Sequence, residues 1–252
     1  MVVNNAAQRD FNDLLECMKN QGGSYDIALI KKAFNYCVDH HLGQKRLTNE
    51  EYYIHPFNVA KIIVTLGMDS QSIAAALLHD VIEDTASTEE DIRREFGDDV
   101  SMLVSGVTKL KKIPHATREE AQAENIRKML LAMAEDIRII IIKLADRLHN
   151  LRTLSALPPD KQKKIAKESL EVFAPLADRL NMGRLRVEMA DLAFKYVDPR
   201  RYEELKALIA KYTDIINNEG KVESVDEIGK KRLAYEINKN GKENSKRIFY
   251  IC

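Results

Sequence analysis

Apolar side chains recur three and four residues apart from residue 6 to about residue 198, and this repeat constrains the fold of the chain more than any other feature. Such spacing places apolar side chains on one face of an α-helix. The repeat is punctuated by Gly22-Gly23, Gly43 and Gly67, which are typical of helix ends, while Pro56 suits the first turn of a helix. The pattern therefore predicts an all-α body built from successive helices.

The secondary structure of two segments of this body has to be argued separately. The isoleucines at 139–142 favour a strand by their β-branching, but apolar residues from Ile137 to Leu151 keep helical spacing over about four turns, longer than a typical strand. We predict a helix there. The polar stretch 109–120, which contains Pro114, is predicted to be a loop, and a long helix is expected after it.

The pattern changes after Asp198-Pro199. One further helix is predicted from 201 to 217, followed by alternating apolar residues that indicate strands around 233–237 and near the C-terminus. The chain is therefore expected to consist of a helical domain over 1–199 and a small α+β appendage over 200–252.

Composition narrows the function classes. The 39 basic and 39 acidic residues cancel, which argues against a globally basic nucleic-acid-binding protein and predicts no DNA partner. Three scattered cysteines argue against a disulfide framework and favour a reducing compartment. No apolar run approaches the ~18 residues of a membrane span, and the N-terminus lacks a signal-peptide pattern. We expect a cytoplasmic protein with no membrane partner.

The first chemical cluster ends the most apolar helix of the chain. The predicted helix 70–85 is apolar on nearly every side and carries His79, Asp80, Glu83 and Asp84. A helix that is apolar all round is usually buried, so its terminal polar groups are delivered to the interior. Three carboxylates and an imidazole would repel one another and lose hydration there unless they held a cation. The alternative is an acidic helix end exposed to water.

A second cluster follows the isoleucine-rich helix. Asp146, Asn150 and Thr153 are spaced by four and three residues, which places a carboxylate, an amide and a hydroxyl on one helical face. His149 lies in the same motif, and a lone His55 precedes a helix-starting proline. A solvated polar face and a structural histidine are the competing interpretations. Combined with the doublet at 79–80, however, these residues form a mixed imidazole and carboxylate set that suits a hydrolytic divalent metal site.

This arrangement resembles the HD phosphohydrolase superfamily, and an ordered series of blocks sharpens the resemblance. In order and spacing the blocks are similar to the hydrolase domain of the RelA/SpoT family of alarmone enzymes, over residues of roughly 8–199. They are GQKR at 43–46, YIHPFNVA at 53–60, ALLHDVIEDT at 76–85, EFGDDV at 95–100, GVTKL at 106–110, AENIRKMLLAM at 123–133, DIRIIIIKLADRLHNLRTL at 136–154, ESLEVFAPLADRLNM at 168–182 and EMADLAFKYVDP at 188–199.

The resemblance implies a helical HD-domain bundle that hydrolyses guanosine tetra- and pentaphosphate at the 3′ position, releasing pyrophosphate and leaving GDP or GTP. It also implies a single manganese ion. The residues that match the family's metal ligands are His55, His79, Asp80 and Asp146. By ligand type alone these groups could equally hold zinc or iron, so manganese follows from the family resemblance only.

Further roles are implied residue by residue. Glu83 and Asp84 match the residues that orient and activate the attacking water, and a carboxylate so placed is typically worth about 10²–10⁴ in rate. Arg46, Asn150 and Thr153 match residues that contact the nucleotide. The planar guanidinium of Arg46 is suited to pairing with phosphate oxygens.

The chain departs from the family pattern in ways that keep other hypotheses open. Leu47 stands where a basic residue is usual, Glu51 replaces a proline, and Asp178 stands where histidine is common. An adenine alarmone or another 3′-phosphorylated nucleotide therefore remains an alternative substrate, and a non-catalytic alarmone-binding regulator a third possibility. The 53 residues after Pro199 are too few for a synthetase domain, so hydrolysis without synthesis is expected.

The appendage has a resemblance of its own. Residues 202–238 are similar to the central part of the sixth small-subunit ribosomal protein, which has a ferredoxin-like fold. Ribosome or RNA contact through Lys230, Lys231 and Arg232 is one interpretation. A solvated basic turn on a docking appendage is the interpretation we favour.

Overall fold

The computed structural model of the protein describes residues 5–109 and 135–219, with side chains described over 6–109 and 135–210. Within these ranges every regular element is a helix, and one isolated antiparallel bridge joins Lys45 to Glu51. The all-α prediction for the body is therefore confirmed. The predicted loop and helix over 110–134, and the predicted strands and basic turn of the appendage, lie outside the described residues.

The chain forms two compact units, residues 1–156 and 157–252. The described helices of the first unit are α1 (Asn5–Gln21), α2 (Ile27–His40), α3 (Ile54–Thr65), α4 (Ser70–Leu78), α5 (Val81–Asp84), α6 (Glu89–Lys109) and α7 (Ile137–Arg152), followed by a 3-10 turn at Leu154–Ala156. Those of the second are α8 (Pro159–Glu168), a π-helical segment (Ser169–Phe173), α9 (Ala174–Arg179), α10 (Gly183–Val197) and α11 (Pro199–Glu219). The predicted domain boundary near residue 199 stays a prediction.

Helix α4 is the centre of the first unit. It packs against α2, α3, α6 and α7. Its residues from Ser72 to Leu78 are all fully buried, as a helix apolar on every side requires. Its N-terminus is capped by Asp69, whose carboxylate accepts a hydrogen bond from the Ser72 N–H at 2.7 Å. The C-terminal end of α4 therefore points its polar residues into the core.

The predicted continuous helix over 70–85 is wrong in one detail, because the chain turns at His79 and Asp80 before α5 begins. The His79 Nδ1 lies 2.7 Å from the Ala76 carbonyl oxygen. In a continuing helix that oxygen would accept the N–H of Asp80. The side-chain bond thus occupies a carbonyl in the last turn of α4, at the point where the backbone turns.

Three further features of the first unit follow from local sequence. Thr88 and Asp91 form a capping box at the start of α6: the Thr88 N–H donates to Asp91 Oδ2 at 3.0 Å, and the Asp91 N–H donates to Thr88 Oγ1 at 3.2 Å. Gly97 breaks α6 with a φ of 84°. The isoleucine-rich segment is helical within α7, as predicted.

Helix α7 packs against α3, α4 and α6 in the first unit, and in the second unit α10 packs against α8, α9 and the π-helical segment. The approach of α6 to α7 is close at Gly106, where an added Cβ would collide with the side chain of Ile139. No described helix is both long and apolar enough to cross a membrane.

Candidate metal centre

Three helices of the first unit deliver the four predicted ligands to one buried point. His55 lies in the first turn of α3, His79 and Asp80 follow α4, and Asp146 lies in the middle of α7. Their exposed fractions are 1%, 0%, 3% and 2%. Buried ionisable groups of this kind are rare unless they are paired with one another or with a metal.

The donor atoms converge closely. Ligand atoms of His55, His79 and Asp80 all lie within 4.8 Å of one another. The Nε2 atom of His55 is 3.2 Å from Asp146 Oδ1 and 3.6 Å from Asp80 Oδ2, and the Nε2 atom of His79 is 3.3 Å from Asp80 Oδ2 and 3.9 Å from Asp146 Oδ1. Two imidazole nitrogens and two carboxylates therefore face a common point.

Both imidazole rings can direct a lone pair toward the common point. The Nδ1 of His79 lies against the Ala76 carbonyl and must carry a hydrogen, so in the neutral ring the lone pair is on Nε2. Burial lowers the pKa of His55, although the nearby Asp146 carboxylate works in the opposite direction. His55 is therefore neutral at physiological pH and can act as a ligand.

Asp146 is held from two sides. Its Oδ2 accepts a hydrogen bond from the buried Lys143 ammonium and its Oδ1 accepts one from Asn150 Nδ2 at 2.6 Å. Burial alone would raise the pKa of Asp146, but the charge of Lys143 and the contacts with His55 and His79 outweigh it, and that pKa lies well below its usual range. The carboxylate is therefore ionised and oriented before any cation binds.

The donor set fits a divalent ion. Two neutral imidazoles and two carboxylates on three helices match the chemistry of manganese, iron and zinc sites. His55, His79, Asp80 and Asp146 would hold the ion. The hydrogen bonds to His79 and Asp146 would orient those ligands in the way that outer partners do in metalloproteins.

The predicted water-activating residues lie immediately beyond Asp80, on α5. Asp84 is exposed, and its Oδ2 accepts a hydrogen bond from the Tyr52 hydroxyl at 2.5 Å. The side chain of Gln44 donates to the Asp84 carbonyl at 2.9 Å. Glu83 is half-buried, with its N–H bonded to the Asp80 carbonyl at 3.1 Å. The short helix thus holds both carboxylates next to one of the proposed ligands.

The predicted nucleotide-binding residues divide into two groups. Arg46 and Asn150 lie together, with Arg46 Nη2 donating to Asn150 Oδ1 at 3.3 Å, so a hydrogen-bonded row runs from Arg46 through Asn150 to Asp146. Thr153 is at the C-terminal end of α7, where its hydroxyl donates to the His149 carbonyl at 3.2 Å. The contacts described for Thr153 are therefore those of a helix end. Leu47, beside Arg46, is 74% exposed.

Sequence reasoning assigned no role to three residues that contact this centre. These residues are Lys143, His149 and Tyr52. Helical spacing is the signal that could have identified the first two, because each lies three residues from Asp146 on α7. Tyr52 has no comparable signal, since it lies in a loop.

Comparison with known proteins agrees with this geometry. The family model described as HD domain matches residues 33–183, and that described as Ribosomal protein S6 matches residues 196–251. Among solved structures, the chain is similar to the protein described as a metazoan ortholog of SpoT that hydrolyzes ppGpp and plays a role in starvation responses. That match has 28% identity and a TM-score of 0.52, and it covers 71% of this chain and 99% of the other.

Curated relatives are similar over the same region. A guanosine-3′,5′-bis(diphosphate) 3′-pyrophosphohydrolase of Haemophilus influenzae is 54% identical over 68% of this chain and 25% of its own length. A probable enzyme of the same name from Synechocystis is 46% identical over 81% of this chain and 27% of its own. A GTP pyrophosphokinase of Myxococcus xanthus is 48% identical over 74% of this chain and 25% of its own.

The chain thus spans about a quarter of the length of these curated relatives. Its resemblance to RelA/SpoT-type proteins, predicted from the ordered blocks, is confirmed by them, and the resemblance of its C-terminal part to the ribosomal protein is confirmed as well. Because the HD domain match covers more than half of the residues and includes all four proposed ligands, the chain belongs to the HD domain family.

Proposed function

We propose that this protein hydrolyses guanosine 3′,5′-bis(diphosphate), and the corresponding pentaphosphate, at the 3′ position. The products are pyrophosphate and GDP or GTP. The observation that carries the proposal is the buried convergence of His55, His79, Asp80 and Asp146 in an HD-family chain. The names of the relatives indicate which phosphorylated substrate such a centre would take.

We propose manganese as the ion. A divalent ion bound here would lower the pKa of a coordinated water by several units and neutralise charge on the phosphates. The mixed nitrogen and oxygen ligand set supports a divalent ion in general, and the family resemblance supports manganese in particular.

The protein's own residues would position the substrate and move the proton. Glu83 and Asp84 would orient the attacking water, and one of the two carboxylates would accept its proton. The bond between the ribose O3′ and the adjacent phosphorus breaks as the water oxygen bonds to that phosphorus, and the departing O3′ takes up a proton from solvent to become a hydroxyl. The Arg46 guanidinium, already held by Asn150, would pair with phosphate oxygens.

The decisive experiment is an assay of pyrophosphate release from guanosine tetraphosphate by the purified chain. We expect release with added manganese, none with a chelator, and GDP as the co-product. The double variant Glu83→Gln, Asp84→Asn should lose turnover by at least ~10²-fold while its affinity for manganese stays unchanged. Full activity in the chelator-treated protein would contradict the proposal.

A second candidate substrate is favoured by one observation. Leu47, in the loop that carries Arg46, is exposed where a basic residue is usual, so the wall expected to contact the base lacks that charge. An adenine alarmone is therefore the alternative, and the same assay with the adenine and guanine nucleotides side by side distinguishes them. Incubation with GTP and ATP tests the expectation that the chain does not synthesise the alarmone. Nucleotide binding without turnover of either substrate would favour the regulator hypothesis instead.

A further inference from the structure

We propose that His149 is a positioning residue for the metal centre, because it accepts the Nδ1 hydrogen of His55 and so fixes the tautomer and the ring plane of that ligand. The inference deepens the proposed function and rests on its metal site. It assigns a task to a buried histidine that neither the ligand set nor the proposed proton transfer uses.

The geometry is a direct contact between two imidazoles. The Nδ1 atoms of His55 and His149 are 2.7 Å apart, and the two residues are 94 positions apart in the sequence. The ring centroids are 4.9 Å apart and the ring planes are inclined by 52°. Only 1% of His55 and 7% of His149 is exposed. At this distance one nitrogen must carry a hydrogen and the other a lone pair, because two lone pairs or two hydrogens would repel.

The role of the other ring nitrogen of His55, Nε2, shows which of the two histidines donates the hydrogen bond. The Nε2 atom faces the carboxylates of Asp80 and Asp146 at 3.6 and 3.2 Å, where the ion would lie. A ligating Nε2 must present its lone pair, so the hydrogen of neutral His55 is on Nδ1. The acceptor that the described part of the chain places against that Nδ1–H is His149 Nδ1, at 2.7 Å. His149 must therefore be neutral, with its own hydrogen on Nε2.

Helix α7 therefore supports the centre twice. It contributes Asp146 as a ligand and, three residues later, His149 as the support of a ligand that comes from α3. Partners of this kind commonly change metal affinity by about 10- to 100-fold when they are removed. The loss arises because the ligand must be ordered, and its tautomer selected, at the moment of binding.

The test compares replacements of His149 that differ in where they place an acceptor. In His149→Asn the side-chain oxygen can take the position of Nδ1, because both atoms are bonded to Cγ. In His149→Gln the oxygen is one bond further out, and His149→Leu has no acceptor. We measure the dissociation constant of Mn²⁺ alone for the full chain by titration calorimetry, without nucleotide. His40→Leu, which replaces an exposed histidine of α2, is the control.

We expect His149→Leu and His149→Gln to bind Mn²⁺ about 10- to 100-fold more weakly than wild type, and His149→Asn and His40→Leu to remain within about threefold. Thermal unfolding in chelator establishes that each variant is folded. If His149→Leu does not fold, the comparison of His149→Gln with His149→Asn decides the question. Equal affinity for these two variants, or wild-type affinity for folded His149→Leu, would overturn the inference.

This measurement separates the inference from the proposed function. A wild-type chain that binds Mn²⁺ but does not hydrolyse guanosine tetraphosphate would contradict the function, and the His149 series would still decide the inference. A hydrolytically active chain whose Mn²⁺ affinity is indifferent to His149 would contradict the inference alone. A wild-type chain with no measurable Mn²⁺ binding would overturn both.

Discussion

Individual side chains around the centre are held by partners on other elements, and Tyr52 is the clearest case outside the ligands. Its hydroxyl donates to the Asp84 carboxylate at 2.5 Å. Burial, together with the charges of Asp80 and Asp84, raises the pKa of Tyr52, so the hydroxyl stays protonated and remains a donor. Asp84 is otherwise exposed, and this bond restricts it to one orientation on the four-residue helix α5.

The adjacent tyrosines provide a matched test. Tyr52→Phe should lower kcat by about tenfold with unchanged Mn²⁺ affinity, because a hydrogen bond to a charged group, worth ~1.5 kcal/mol, no longer orients Asp84. Tyr53→Phe removes a hydroxyl that donates to Asp10 on α1 at 2.8 Å, and it should leave kcat unchanged. Steady-state kinetics on the two variants make the comparison. Equal kcat values would show that the Tyr52 hydroxyl has no part in turnover.

At the scale of elements, one arginine joins three helices of the first unit. Arg138 Nη1 donates to Asp69, the cap of α4, at 3.1 Å, and its Nη2 donates to Asp99 on α6 at 2.7 Å. It also bonds Asp136, the cap of α7, at 2.7 Å. The helix that precedes His79 and the helix that carries Asp146 are thus tied together at their N-termini.

This network predicts a defined pH dependence. The hydrogen bonds from Arg138 lower the pKa of Asp136. Burial alone would raise the pKa of Asp69, but the hydrogen bonds from Ser72 and Arg138 outweigh burial and lower that pKa below its usual 3.8. A carboxyl with a depressed pKa stabilises the fold above its unfolded-state pKa, and that stability is lost as the pH falls through the folded-state value. Arg138→Gln should therefore reduce the unfolding free energy by about 1 kcal/mol at pH 7, since two of its three partners are half-exposed.

The difference between wild type and Arg138→Gln should shrink as the pH is lowered below about 4, where the carboxyls become protonated in both chains. Urea unfolding of the metal-free protein at a series of pH values measures this difference in unfolding free energy. Arg93→Gln, which breaks exposed pairs with Glu89 and Asp98, is the control and should change stability by less than about 0.5 kcal/mol. A difference that grew toward low pH would contradict the assignment.

A second prediction at this scale concerns the contact between α6 and α7. Gly106→Ala should lower the unfolding free energy by about 1–3 kcal/mol, because the new methyl group would collide with Ile139 in a packed core. Gly183→Ala is the matched control, since nothing lies within 4 Å of an added Cβ there. It should be neutral or slightly stabilising. Thermal unfolding of both variants tests the pair, and a neutral Gly106→Ala would show that α6 and α7 pack less closely.

For the molecule as a whole, the proposed centre joins the consecutive helices α3 and α4 to α7, which is distant from them in the sequence, and all three lie within the first compact unit. A ligand that binds only the folded state stabilises it by mass action, by about 2.7 kcal/mol at a hundredfold excess over its dissociation constant. Bound metal should therefore stabilise the folded state of the first compact unit, because it holds the three helices together.

Hydrogen exchange can locate that effect. Saturating Mn²⁺ should slow amide exchange in α3, α4 and α7, while α10 in the second unit, which contributes no proposed ligand, serves as the internal reference. His79→Asn should abolish the protection. Uniform slowing in both units, or slowing that survives His79→Asn, would indicate binding at a different place.

The helical body and the chemical clusters were predictable because they depend on local order. Spacing of three and four residues specifies which side chains share a helix face, so α4 and α7 follow from short stretches of sequence. The contents of the candidate site followed from residue types together with the resemblance in ordered blocks. The turn at His79 was missed because it depends on a buried side chain competing for a backbone carbonyl.

By itself, then, the sequence determined an all-α body, a buried helix ending in His79-Asp80, and the four residues that could hold a divalent ion. Only the tertiary structure determined which of these side chains contact one another. His55 and His149 are in contact although 94 residues separate them, and no periodic pattern can predict that contact, because it depends on how α3 packs on α7. The same holds for Tyr52 and Asp84, and for Arg138 with its three helices. Periodicity is a local property of the chain, whereas the orientation of a ligand by its neighbours is a property of the packed core.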